Sequence, residues 1–251
     1  MKLVSLLLCF LPVWMTAQNT SGQVFFTQTV QLKITLPDDA PEEMKKMVPP
    51  TQVNRQTLLF TENETLYRDV NEEDNNDLDI SHQDDDGNQV QIKIQRPKDV
   101  FYQNLDKGTV VEGREFMGRN FLVQDNAETL RWKISAEKKQ ILGYSCQKAV
   151  LQDTSKTVTA WFTTDIPVSA GPAVYGQLPG MILELDMDNG ARLYTADKVV
   201  LKPIEDKAIV APDKGKPCTR AEYKKIVDDK MKEMGIEQGS GGGGVKIMVR
   251  H

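Results

Sequence analysis

Histidine is almost missing from this chain. Only His82 and His251 occur among 251 residues, the first in an acid-rich stretch and the second at the C-terminus. A histidine general base or a histidine zinc centre therefore has no members in a suitable context. Cysteine is nearly as scarce. Cys9, Cys146 and Cys218 are the only three, with no Cys-x-x-Cys pair, so neither a disulfide-dense scaffold nor a thiol redox motif is present. Outside the N-terminus no apolar run approaches the about 20 residues a membrane-spanning helix needs. Nucleotide and hydrolase signatures are also lacking. Pro167-Val-Ser169-Ala-Gly171 has proline where a nucleophile elbow needs glycine. Gly239, Gly241 and Gly244 match a dinucleotide pattern by spacing, but no strand precedes them and no helix follows.

What is present begins with an export signal. Lys2 precedes an apolar stretch from Leu3 to Val13, and Thr16-Ala17-Gln18 offers a small-residue cleavage point after Ala17. Residues 1–17 read as a signal peptide and 18–236 as a single β-rich domain. Export to an oxidising compartment permits a bridge between Cys146 and Cys218, while Cys146 also suits a small core position beside Leu142, Tyr144 and Val150.

Charge is concentrated. Asp69 to Asp86 holds nine acids and no Lys or Arg. Removing them from 36 acidic residues leaves 27 against 31 basic, a net of +4. No nucleic-acid footprint follows from that balance. Residues 71–87 read as an acidic, mobile loop. As a calcium loop, the register from His82 ends on Lys93 where a bidentate glutamate is required, so no metal site is assigned.

Period-two alternation dominates the rest. Val24, Phe26, Gln28, Val30, Leu32, Ile34 and Leu36 share one face; Val90, Ile92 and Ile94 share another; Met181, Leu183, Leu185 and Met187 a third. One dry and one wet face is the pattern of antiparallel sheet. Turn signals at Thr61–Glu64, Asp125–Glu128, Ser135–Lys138, Asp153–Lys156 and Asp188-Asn189-Gly190 divide the chain into ten to twelve strands in meander order. Asp39-Ala-Pro41-Glu42 caps a short helix to Met47. Thr219-Arg-Ala-Glu222 is a capping box that opens a helix to about Met234, with Tyr223, Ile226, Val227, Met231 and Met234 as its docking stripe. Residues 237–251 are a glycine linker and a strand-like tail, Val245, Ile247 and Val249 alternating, suited to adding to a sheet edge. The fold class is mainly β: one long curved antiparallel sheet or half-open barrel, a C-terminal helix packed on it, and a short N-terminal helix.

One span interrupts the alternation. Between Asp165 and Glu184 no side chain is charged, and Pro167, Gly171, Pro172, Gly176, Pro179 and Gly180 break any strand. Such an uncharged connection is a plug over apolar surface or a lid over a cavity. Tyr175, Leu178 and Pro179, with Trp132 and Trp161 on neighbouring strands, are the candidate ligand-binding residues. Glu184 and Asp186, two apart on a strand, and Ser169 are the residues a hydrolase would use.

"ILGYSCQKAVL", "TAWFTTDIPVSAGPAVYGQLPGMILEL" and "LLFTENETLYRDV" resemble the GLPGLI (Porph_ging) family, exported proteins of Gram-negative Bacteroidetes. The resemblance implies a protein of the periplasm or cell surface with an envelope partner, in association with a TonB-dependent system, and supplies no catalytic residue. The reading is a non-catalytic protein without a cofactor that binds a partner protein or a small apolar or peptide ligand. A hydrolase, or an assembly factor that donates its C-terminal strand, is the alternative. Gln177 stands where the family motif has glycine, which implies that this position does not require positive φ.

Overall fold

The computed structural model describes residues 20–32, 46, 49–70, 98–152, 156–205 and 207–233, and the backbone of 78–83 and 89–94. The signal peptide, the N-terminal helix from Asp39, most of the acidic loop and the C-terminal linker and tail lie outside the described residues.

Fourteen strands and one helix follow in order among these residues: β1 (Gly22–Gln31), β2 (Thr51–Phe60), β3 (Glu64–Asp69), β4 (Leu78–Gln83), β5 (Gln89–Ile94), β6 (Val100–Asn104), β7 (Thr109–Phe116), β8 (Arg119–Asn126), β9 (Trp132–Ile141), β10 (Tyr144–Leu151), β11 (Val158–Thr163), β12 (Met181–Met187), β13 (Arg192–Leu201), β14 (Lys216–Cys218) and α1 (Arg220–Glu233). β4 and β5 form a separate hairpin. The other twelve make one open sheet, ordered β14-β8-β7-β6-β3-β2-β1-β13-β12-β11-β10-β9. The mainly β expectation with a C-terminal helix holds. The sheet is mixed, because β14 lies parallel to β8 while the remaining pairs are antiparallel. It is two meanders joined at the middle, since β1 pairs with β2 on one side and with β13 on the other.

Turn chemistry explains most boundaries. Asp188, Asn189 and Gly190 all adopt positive φ, as the Asn-Gly signal requires. Two further tight turns carry no polar signal: Met117-Gly118 joins β7 to β8, and Leu142-Gly143 joins β9 to β10, all four with positive φ. Leu142 therefore sits exposed on a hairpin tip rather than on the face of Cys146. Ser135–Lys138 is no turn either; it lies inside the continuous edge strand β9. Bulges at Phe25/Phe26, Gln147/Ala149 and Trp161/Phe162 shift the register locally. The last one makes Leu183 the extra residue opposite β11 and leaves Met181, Ile182 and Leu183 all fully buried, where alternation places Ile182 on a wet face.

Direct cross-strand partners share a face, so the register defines an inner face. One row runs Leu58, Tyr67, Phe101, Glu112, Val123 and Cys218. A second runs Asn54, Gln28, Tyr194, Leu185, Ala160 and Ala149. The residue 164–180 connection packs on the β11–β12 end of the sheet. Ile166, Val168, Ala170 and Leu178 are buried, the Met181 N–H donates to the Ile166 carbonyl at 3.0 Å, and the Ile182 N–H donates to the Ala170 carbonyl at 2.8 Å. The span is thus a plug. Gln177 contradicts the expectation drawn from its identity: its φ is +61°, and its side chain compensates by donating to the Glu128 carbonyl at 2.7 Å and accepting from the Leu130 N–H at 2.9 Å.

α1 covers the opposite end of the sheet. The Tyr223 ring meets Phe121 edge-on at 5.4 Å. Its capping box is formed as the sequence requires: the Glu222 N–H donates to Thr219 Oγ1 at 3.2 Å, and the Thr219 N–H donates to Glu222 Oε2 at 2.8 Å. These bonds hold the Glu222 carboxyl below its ordinary value. A lowered acid contributes stability above its unfolded pKa and loses it as pH falls through the folded one. Acidification below the usual carboxylate range should therefore lower the amide protection factors, taken relative to the intrinsic rate at each pH, at Arg220–Tyr223, and Thr219→Ala should cost the helix about 1 kcal/mol at neutral pH. Exchange rates followed by NMR from pH 7 to 3 test both. No described helix is long and apolar enough to cross a membrane.

Candidate functional site

Between the plug and the helix, the inner face changes character. Its apolar part is aromatic: Tyr67 lies 6.1 Å from Phe26, 6.2 Å from Phe101 and 6.4 Å from Tyr194, ring centre to ring centre. Beside these rings stands a polar row that alternation alone would fill with apolar residues. Asn54 is 2% exposed and Gln28 is 8% exposed, and the Asn54 amide donates to Gln28 Oε1 at 2.9 Å. Next to them the Tyr67 hydroxyl donates to Gln56 Oε1 at 2.5 Å, and the Gln56 amide donates to Asp69 Oδ1 at 3.3 Å. Burial raises the Tyr67 phenol well above its ordinary value, helped by Tyr194 and Asp69 and opposed by Arg192. Gln56, Asp69, Arg192 and the plug residue Tyr175 are half-buried and form the rim of this polar patch. Burial pushes Tyr175 up to about 12, again with Tyr194 adding and Arg192 opposing.

A second polar cluster fixes α1. Glu112, on the core row, accepts from Arg114 Nε at 2.8 Å and from Arg220 Nη2 at 3.1 Å. Arg114 also reaches Asp99 at 2.5 Å, while its guanidinium lies 4.6 Å from the Phe101 ring centre and 5.9 Å from that of Tyr223. Burial alone would lower the Arg114 pKa, but Asp99 and Glu112 raise it above its ordinary value. Burial raises Asp99, with Arg114 opposing. Every oxygen of Glu112 is used on a guanidinium, so this cluster is a clamp between sheet and helix.

The residues expected to bind a ligand are divided by the fold. Tyr175 and Trp132 come to the inner side, where the Trp132 indole N–H donates to the Gly176 carbonyl at 2.9 Å and latches the plug. Leu178 is 1% exposed and is part of the core, and Pro179 is exposed beside it. Trp161 is on the opposite face, paired across strands with Glu184. There the Lys139 ammonium sits 4.4 Å from the Trp161 ring centre and 2.6 Å from Glu184 Oε1. Glu184 is thus engaged by a cation, and Asp186 Oδ1 accepts the Gly190 N–H at 2.6 Å in the hairpin turn. The Ser169 hydroxyl donates to the Leu178 carbonyl at 2.6 Å, a brace within the plug.

The Cys146–Cys218 bridge is not formed; both are free thiols. Cys146 is on β10 and Cys218 on β14, with β8, β7, β6, β3, β2, β1, β13, β12 and β11 between them in the sheet. Burial pushes the Cys146 thiol up to about 11, which leaves it un-ionised at neutral pH.

Sequence reading missed Asn54, Gln56, Asp99, Glu112, Arg114 and Arg220. A signal existed at two of them, Glu112 and Arg114, which share the apolar face of β7 with Val110, and at Gln28, the partner of Asn54, which falls on the apolar face of β1; a polar group at such a position needs a partner.

Three comparisons bear on this geometry. A family model described as "N-glycanase peptide, N-terminal domain" matches residues 73–223, from before β4 into α1. Two solved structures of PNGF-II, in two crystal forms, are similar in fold. One aligns with TM-score 0.54 and 20% identity over 83% of this chain and 33% of its own. The other aligns with TM-score 0.53 and 19% identity over 82% of this chain and 32% of its own. The chain thus spans about a third of the length of these structures. No curated protein matches it. The family match overturns the GLPGLI resemblance, which rested on short strings around the plug. With it fall the reading as a non-catalytic envelope protein and the expectation against an enzyme, because the matched family is named for glycan cleavage.

Proposed function

The chain belongs to the N-glycanase N-terminal-domain family, and from that premise we propose that it acts in the release of asparagine-linked glycans, engaging the glycoprotein through the inner face of its sheet. The match from residue 73 to residue 223 carries the reading, since it takes in the plug, the clamp and the strands β4 to β14. The rim of the inner face supports it. Gln56, Asp69, Tyr175 and Arg192 present amide, carboxylate, phenol and guanidinium groups, the donor and acceptor set that sugar hydroxyls require. An aromatic floor with a few placed polar groups is also the usual make-up of a small-ligand site.

The test compares one glycoprotein before and after removal of its N-glycans. Calorimetric titration with the chain should give binding to the glycosylated form and at least tenfold weaker binding to the stripped form. Equal affinity for both forms, or none for either, would sink the reading.

A further inference from the structure

We propose that Asn54, Gln28 and Tyr194, reached past Gln56 and Tyr175, form a subsite that takes a hydroxyl or amide N–H of a neutral sugar onto Asn54 Oδ1. This rests on the glycan-release reading and adds the residues and the ligand chemistry to it.

The starting observation is an orphan. Asn54 Oδ1 is buried and has no hydrogen-bond partner among the described residues. Leaving such an acceptor dry is costly, so a buried unpaired amide oxygen calls for an explanation. Its own amide nitrogen is spent on Gln28 Oε1. Asn54 lies on β2 opposite Gln28 of β1, two residues before the β2–β3 pairing begins at Gln56.

The surroundings point to a ligand rather than to a core defect. Gln28 stands directly beside the orphan in the cross-strand row, and Tyr194 stands one strand further on. The neighbouring row runs Asp69, Gln56 and Phe26, and its polar members are half-buried, so polar groups lead from the rim to the orphan. Two buried amides standing on an otherwise aromatic face are expensive unless they serve recognition.

The chemistry selects the ligand class. A free amide oxygen accepts and cannot donate, so the incoming group must be O–H or N–H. The floor holds amides and phenols with no ionised group on it. At the rim the Asp69 carboxylate and the Arg192 guanidinium oppose one another, so the rim sets no net preference for a charged ligand. A neutral sugar, with many hydroxyls and an apolar ring face for Tyr175, meets these conditions.

Asn54→Leu removes the acceptor and keeps the volume. Because the change also takes the donor from Gln28 Oε1, it leaves that buried acceptor unpaired, which is destabilising. The thermal midpoint should therefore fall modestly, while affinity for a free, neutral, mannose-terminated N-glycan falls at least tenfold by calorimetry at a temperature where the variant is folded. Tyr175→Leu, on the half-buried plug rim, provides a second variant that keeps the Asn54–Gln28 and Tyr67–Gln56 hydrogen bonds; by removing the ring on which the sugar would stack it should also weaken that affinity. Wild-type binding of the neutral glycan that is unchanged in both variants overturns the subsite while leaving the glycan-release reading standing. Glycoprotein binding with no response to the free neutral glycan also overturns it. A wild-type chain that binds neither ligand brings down the parent reading.

Discussion

Replacing Gly180 by alanine is expected to lower the unfolding free energy by about 3 kcal/mol, near the top of the range for inserting a methyl group into a packed site. A Cβ at this position would lie 2.0 Å from the Thr163 carbonyl oxygen, 2.7 Å from its carbon and 3.0 Å from Thr164 Cα. All three contacts are backbone, and they cannot swing away as a side-chain tip can. Thr163 is itself fully buried and paired with Met181 across β11 and β12. Relief must come from lifting the plug, whose Ile166 and Ala170 carbonyls hold the first residues of β12. For a chain of this length that cost amounts to a fall of roughly 10 °C in the thermal midpoint. Faster amide exchange should be confined to residues 166–182. Gly118→Ala is the control: its φ is +73°, yet an added Cβ meets nothing within 4 Å, so it should cost only about 1 kcal/mol. Equal effects at the two positions would show that the close approach at Gly180 is not what demands glycine there.

Glu112→Ala should be nearly as damaging, for an electrostatic reason. Its carboxylate is buried, with a side chain 4% exposed, and bridges Arg114 to Arg220. Deleting it leaves two guanidiniums facing one another with only Asp99 and Glu128 as counter-charges. Breaking a buried pair costs about 3–5 kcal/mol, and because both arginines are about a quarter exposed the expectation lies near 3 kcal/mol. Urea denaturation measures it. Arg220→Ala should cost roughly 1 kcal/mol, because Glu112 keeps Arg114 and the freed helix end is reached by water. The helix should loosen in both variants, seen as loss of the ring-current shift between Tyr223 and Phe121. A Glu112→Ala loss below about 1 kcal/mol would mean that the clamp is replaced by hydration.

The plug and the clamp differ in how far the sequence reveals them. The plug is legible: a run with no charge, broken by proline and glycine between alternating strands, has to cover apolar surface, and the structure buries it. Its internal detail is not. Gln177 takes positive φ although glutamine disfavours it, because Glu128 and Leu130, nearly fifty residues earlier, supply the hydrogen bonds that hold it. The clamp is scattered over β7, α1 and the segments before and after them. Only the register that places Glu112 beside Phe101 and Val123 reveals why a glutamate tolerates a core position. The polar floor is the same case, since Asn54 and Gln28 read as ordinary strand residues until pairing puts them side by side.

The amino-acid order by itself determined the class of fold, most strand boundaries, the capped C-terminal helix and the plug. Each depends on interactions within a few residues: alternation of side-chain direction, turn φ angles, cap hydrogen bonds. Tertiary structure alone decided that β1 joins two meanders and that β14 runs parallel to β8. It separated the two cysteines across the sheet, and it left one buried amide oxygen facing inward without a partner. Those outcomes depend on which distant strands become neighbours, and that choice is set by the packing of the whole inner face rather than by any local pattern.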